Sequence, residues 1–169
     1  MATEHAFTDQ PPSEPRPRGT TMKHEELSEV YCSLARTWAV IGERWTMLII
    51  REAFRGTRRF DGFQQRLSVG RNVLSNRLVR LTDEGVFERV RYQESPDRYE
   101  YRLTQKGMDL YPVLLMLMRR GDRYKVDAPP VRLVHKHCGK EASPELRCGH
   151  CGEPVDYHSL RAEYAPDAW

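Results

Sequence analysis

No apolar run in this 169-residue chain approaches the ~20 residues a helix needs to cross a bilayer. The polar start Met1-Ala2-Thr3-Glu4-His5 also lacks the hydrophobic segment of a secretory signal, so a cytoplasmic protein with no membrane partner is expected. Cysteine is scarce: there are four, and three of them lie beyond residue 130. Cytosolic thiols stay reduced, so no disulfide is expected to hold the fold. No Ser-His-Asp arrangement, phosphate loop or well-spaced carboxylate pair is present, and the six histidines fall in the N-terminal tail or the C-terminal cysteine cluster. An enzyme is not expected. A large net charge is missing too, since the total is only +3, but the charge is unevenly placed. Residues 31–125 carry a net +8 and the two flanks together −5, so the middle is the part built to meet a polyanion.

That middle has a recognisable layout. Between Phe60 and Leu103 come two short amphipathic helices, a glycine stop and a basic hairpin, which is the order of a winged helix-turn-helix. The second helix begins around Gly70-Arg71-Asn72 and runs to Glu84, with Leu74, Leu78 and Leu81 on one stripe that should face inward. At ~100° per residue the opposite side carries Asn72, Asn76, Val79 and Arg80, with Arg71 and Ser75 near the N-terminal end. Asparagine offers a paired acceptor and donor to the adenine edge and arginine forks onto guanine or phosphate, so each good contact supplies about 1–3 kcal/mol of discrimination. Gly85 ends the helix.

Residues 86–91 and 99–103 read as strands flanking the loop Gln93-Glu94-Ser95-Pro96-Asp97-Arg98. In Tyr99-Glu100-Tyr101-Arg102-Leu103 apolar and charged residues alternate, so one face packs while the other meets solvent or phosphate. Arg98, at the loop tip, is placed for a minor groove, with plain turn chemistry as its other account. Arg58 and Arg59 stand before the first helix as phosphate ligands. Together these residues predict a sequence-specific transcriptional regulator, acting as a repressor on double-stranded DNA.

Around that centre, residues 1–22 are rich in proline and poor in apolar side chains and are expected to be a disordered tail. A helix starting near Glu25 would bury Tyr31, Leu34, Ala35, Trp38 and Ile41 on one side and stop at Gly42. Residues 43–54 are apolar on most faces and predict a central buried helix. After the wing, Thr104 can cap a helix carrying Leu110, Val113, Leu114, Leu117 and Met118, with Pro112 kinking it or marking a break after a first short turn. This apolar stripe either completes the monomer core or forms a two-fold interface, and the homodimer is the expectation because a palindromic operator needs paired recognition helices. Residues 25–125 are therefore read as one DNA-binding and dimerisation domain. A small aromatic effector could sit near Trp38, Trp45 and Tyr31, although such residues usually fill cores.

Several stretches resemble the HxlR-type transcriptional regulators, bacterial winged-helix proteins related to the MarR type. They are Cys32-Ser33-Leu34-Ala35, Ile41-Gly42-Glu43-Arg44-Trp45-Thr46, Arg59-Phe60, Val73-Leu74-Ser75-Asn76-Arg77-Leu78, Leu81-Thr82-Asp83-Glu84-Gly85 and the run from Tyr99 to Gly107. The resemblance covers roughly residues 25–124 and implies a homodimeric bacterial DNA-binding regulator without catalytic activity. Glu43 stands where an aspartate is common. The resemblance also makes Cys32 a candidate redox sensor, because some members sense oxidants or electrophiles through a cysteine in this position. A buried cysteine is more often a small apolar side chain, and Arg36, one turn on, could favour its thiolate.

The C-terminal cysteines have their own pattern. His135-Lys136-His137-Cys138 and Cys148-Gly149-His150-Cys151 give H-x2-C and C-x2-C, the spacing of a small zinc ribbon over residues 131–160. Zn2+ is expected on His135, Cys138, Cys148 and Cys151, with His137 or His150 able to replace His135. Four protein ligands leave no open position, so the metal would be structural. The fold class expected is therefore mainly α with a small β-hairpin, a winged helix-turn-helix followed by a zinc-ribbon-like segment. The competing function is a protein-interaction module, with the winged helix as scaffold and the ribbon as the docking element.

Overall fold

The computed structural model describes Thr8, residues 24–165 and Ala168. The tail read as disordered, residues 1–22, lies outside the described residues apart from Thr8. The chain divides into two compact units, Met1–Ala39 with Ser143–Trp169, and Val40–Ala142.

In the first unit a 3-10 turn at His24–Ser28 precedes helix α1 (Ser33–Ile41), whose last two residues belong to the second unit. The continuous helix expected from Glu25 does not form. The Cys32 amide bonds back to the Val30 carbonyl at 2.8 Å, a tight turn that interrupts helical pairing before α1 begins. The expected stripe is buried only in part: Ala35 and Ile41 are buried, joined by Val30 and Ala39, whereas Leu34 is 72% and Trp38 48% exposed. Elsewhere in this unit Thr8 and Tyr164 exchange backbone hydrogen bonds of 2.8 and 2.6 Å.

The second unit is the winged helix. Helix α2 (Thr46–Phe54) supplies Ile49 and Ile50, α3 (Phe60–Leu67) supplies Phe63 and Leu67, and α4 (Arg71–Asp83) supplies Leu74, Leu78 and Leu81, all buried in one core with Val86 and Phe87. The three leucines fall at helical spacing, and burying each such side chain is worth about 1.5–3 kcal/mol. Strands β1 (Phe87–Glu94) and β2 (Asp97–Leu103) pair antiparallel from Phe87 opposite Leu103 to Glu94 opposite Asp97, with an irregularity between Arg91 and Gln93. The strands therefore run farther than expected and leave only Ser95 and Pro96 as the turn. A third segment joins the wing, because the Tyr101 amide donates to the Arg58 carbonyl at 2.7 Å and Arg59 bridges to Glu100.

Two glycines fix how the wing leaves and re-enters the helices. Gly85, at φ 69°, turns the chain out of α4 in a conformation that side chains resist. Gly107 lies where a Cβ would collide with the Val86 carbonyl oxygen. It sits in the short helix α5 (Gln105–Met108), capped by Thr104, whose hydroxyl oxygen accepts from the Gly107 amide at 3.2 Å and donates to the Gly85 carbonyl at 2.6 Å. The chain breaks there, and α6 (Tyr111–Tyr124) starts afresh with Pro112 in its first turn, where the missing amide costs nothing. Among the described residues no helix is long and apolar enough to cross a membrane.

The zinc ribbon is not there. Residues 131–160 make two separate turns: His135 donates to Lys140 and Gly139 to His135 in one, Cys148 donates to Glu153 and Gly152 to Cys148 in the other. The unit boundary at Ala142 falls between them. Among the described residues no three His, Cys, Asp or Glu side chains come together as a metal ion would need, which overturns the Zn2+ expected on His135, Cys138, Cys148 and Cys151. Each turn carries one pair of the expected ligands, and a tetrahedral site requires both pairs together.

Candidate nucleic-acid interface

Helix α4 is presented by its own core contacts. With Leu74, Leu78 and Leu81 buried, Arg71, Asn72, Ser75, Asn76 and Val79 are all exposed on the outer face. Arg71 lies over the Phe60 ring at 5.3 Å, a contact that steadies its guanidinium at the N-terminal end of the helix. The first two turns, where a recognition helix meets base edges, therefore offer an arginine, two asparagines and a serine to solvent.

Arg80 is placed differently from that set. Its Nη1 donates to Glu43 Oε1 at 2.8 Å, and Arg77 pairs with the other oxygen of the same carboxylate while its Nε reaches the Arg44 carbonyl at 3.3 Å. Glu43 thus ties the C-terminal half of α4 to the turn that precedes α2. That turn ends on Trp45, whose left-handed backbone (φ 74°) sets the start of α2. In the sequence Glu43 stood out only as a departure from a common aspartate, with no role attached. The available signal was a lone acid directly after Gly42 in an apolar stretch, with two arginines three residues apart, Arg77 and Arg80, in the recognition helix.

The wing carries a second set of charges. Arg59 donates to Glu100 at 3.3 Å and stacks its guanidinium over Tyr92 at 4.3 Å, so it braces the hairpin. Arg102 donates to the other Glu100 oxygen at 3.0 Å, and these hydrogen bonds, Arg102 first, hold the Glu100 carboxyl below the usual carboxylate range against the opposing effect of burial. Arg91 pairs with Asp97 at 2.6 Å, and Arg89 lies over Tyr99 at 3.5 Å. Arg98 stands exposed beside the Ser95-Pro96 turn, and Arg58 is exposed on the segment leading to α3.

The remaining candidates belong to segments outside α3, α4 and the wing. Cys32 is a free, partly exposed thiol immediately before α1. Arg36 donates to the Val30 carbonyl at 2.8 Å, the oxygen that also accepts from the Cys32 amide, and lies over Tyr31. His135 Nδ1 is 3.4 Å from Cys138 Sγ, and the backbone amides of Cys151 and His150 lower the Cys148 thiol pKa. Tyr31 and Trp38 belong to the first unit, and Trp45 packs on the core of the second.

Comparison with known proteins bears on the whole arrangement. Residues 40–128 match the HxlR-like helix-turn-helix family. The chain is 44% identical over 136 residues to the uncharacterised HTH-type transcriptional regulator Rv3095 of Mycobacterium tuberculosis, covering 79% of this chain and 86% of that protein. The crystal structure of PA1607, a candidate transcription factor, superposes with a TM-score of 0.72 at 38% identity over 80% of this chain and 96% of the other. The redox regulator HypR in its oxidized form is similar at a TM-score of 0.52 and 28% identity, over 56% of this chain and 99% of that one.

Proposed function

The chain belongs to the HxlR-like helix-turn-helix family, and from that premise we propose that it is a homodimeric repressor reading a two-fold symmetric operator through α4. Membership makes it a DNA-binding transcriptional regulator and assigns it no catalytic role. The observation that carries the finer reading is the exposed first half of α4 over a fully buried leucine stripe. In this reading Arg71, Asn72, Ser75 and Asn76 meet base edges, while Arg58 and Arg98 take phosphates on either side. Arg59 and Arg80, already engaged by Glu100 and Glu43, hold the wing and the helix in position.

The dimer is supported by apolar surface the described chain leaves open. On α6, Val113, Leu117 and Tyr124 are exposed on one face, and on α1 Leu34 and Trp38 are exposed. Two such copies would place their α4 helices on half-sites about one DNA turn, ~34 Å, apart. Leu117→Asp should convert the dimer to monomer in sedimentation velocity and abolish footprinting at equal protein concentration. Nuclease footprinting of the promoter beside the native gene tests the DNA reading. Two protected patches of equal size are expected, lost on Asn76→Ala, and a single patch or no protection would overturn it.

A response to oxidant is part of the proposal, supported by the similarity to HypR and by the free thiol of Cys32. Peroxide would convert that thiol to a sulfenic acid, itself reduced to water, and Cys32→Ser should then bind DNA equally with and without peroxide. Equal peroxide sensitivity in the variant would remove Cys32 from the account. The chain would act in the cytoplasm, where its operator lies.

A further inference from the structure

The second unit contains a cleft of about 470 Å³ away from α4 and the wing, between the end of α2, one face of α6 and the segment 126–133 that follows it. That volume lies within the ~300–1,000 Å³ range of small-molecule sites. Its walls are Phe54, Tyr111, Leu114, Met118, Val131 and Leu133, with the Phe54 and Tyr111 rings 4.8 Å apart. Three cations line it, Arg51, Arg55 and Lys125, against one acid, Asp122. Arg51 and Arg55 both pair with Glu52 Oε1, at 2.8 and 3.1 Å, so with Glu52 included the charge around the cleft sums to +1. The cleft residues of α6 lie on a different side of the helix from Val113, Leu117 and Tyr124.

We propose that this cleft binds a monoanionic amphipath, a small carboxylate or sulfonate with an aromatic or medium-length alkyl body. The apolar walls take the body, and Lys125, with the two arginines, takes the anion. Occupancy has a route to the helix-turn-helix. Glu52 is almost fully buried, its Oε2 has no hydrogen-bond partner, and Arg66 of α3 stands 3.9 Å from that oxygen. An anion that draws Arg51 or Arg55 from Glu52 frees the carboxylate to pull on Arg66, and so moves the helix on which α4 rests.

The test uses the full chain and 8-anilinonaphthalene-1-sulfonate as a fluorescent probe. Saturable binding of one probe per chain is expected, displaced by decanoate and not by decyltrimethylammonium. Val131→Trp should fill the cleft and abolish binding, Lys125→Glu on an exposed residue should weaken it by about tenfold, and Tyr157→Ser, far out in solvent, should leave it unchanged. Unaltered binding in both cleft variants, or equal displacement by the cation, would overturn the site. A second arm rests on the regulator reading: decanoate should shift affinity for the promoter duplex several-fold in the parent chain and not in Lys125→Glu. An unchanged affinity with the cleft occupied would overturn the route through Glu52. Failure of DNA binding itself would show in this arm alone, since the fluorescence arm contains no DNA.

Discussion

Removing the charge of Glu43 separates two roles for Arg80, a strut inside the protein or a hand on the DNA. Glu43, Arg77 and Arg80 are 22%, 23% and 28% exposed, so their pairing is better shielded than a surface salt bridge without being buried. Exposed pairs are worth about 0.2–1 kcal/mol and hydrogen bonds to charged groups about 1.5–3 kcal/mol, and glutamine keeps one acceptor. Glu43→Gln should therefore cost about 1–2 kcal/mol of stability, read as a fall of about 2–8 °C in Tm for a chain of this length. Fluorescence anisotropy on a promoter duplex then completes a double-mutant cycle with Arg80→Ala. If Arg80 acts through Glu43, each single change weakens binding and the double change is no worse than the weaker single one. Additive losses, with Arg80→Ala alone lowering the slope of log affinity against log salt by about 1, would make Arg80 a phosphate ligand and refute the strut.

Three further outcomes follow from the packing and the wing. Leu78→Ala, emptying the middle of the fully buried stripe on α4, should destabilise the chain by about 2–5 kcal/mol in urea unfolding. Gly107→Ala pushes a methyl group into the Val86 carbonyl and should cost about 1–3 kcal/mol, whereas Gly121→Ala on α6, with open space around its Cβ, should be neutral or stabilising by the same assay. Glu100 is held below its ordinary value of 4.5, so its contribution is fully present above that value and is lost as pH falls through the lower folded pKa. Amide exchange at Tyr101 should therefore be flat from neutral pH to about 4.5, once corrected for intrinsic rates, and accelerate below it. Protection that is lost well above that range would assign the wing's stability to another group.

The readable parts of the chain are those set by local pattern. The leucine spacing in α4, the glycine at 85, the alternation in β2 and the threonine at 104 are short-range signals, and each produced the expected element. The helix expected from Glu25 failed because apolar spacing does not register a backbone turn such as that from Cys32 to Val30. Its stripe held in part: Ala35 and Ile41 are buried as expected, whereas Tyr31, Leu34 and Trp38 are exposed, because periodicity gives a shared face and not what covers it. Arg80 looked like its neighbours because its partner, Glu43, lies 37 residues away. The zinc ribbon was misread from spacing alone. H-x2-C and C-x2-C specify two turns, and bringing those turns together is a long-range event that the spacing does not encode.

The most direct test of the regulator account is the affinity of the chain for a labelled duplex from the promoter beside its own gene, measured at low and moderate salt against a scrambled duplex of equal composition. Tight binding to the promoter alone is predicted, weakening steeply with salt and reduced on Asn76→Ala by about 1–3 kcal/mol. Equal, weak binding to both duplexes at every salt concentration would contradict it.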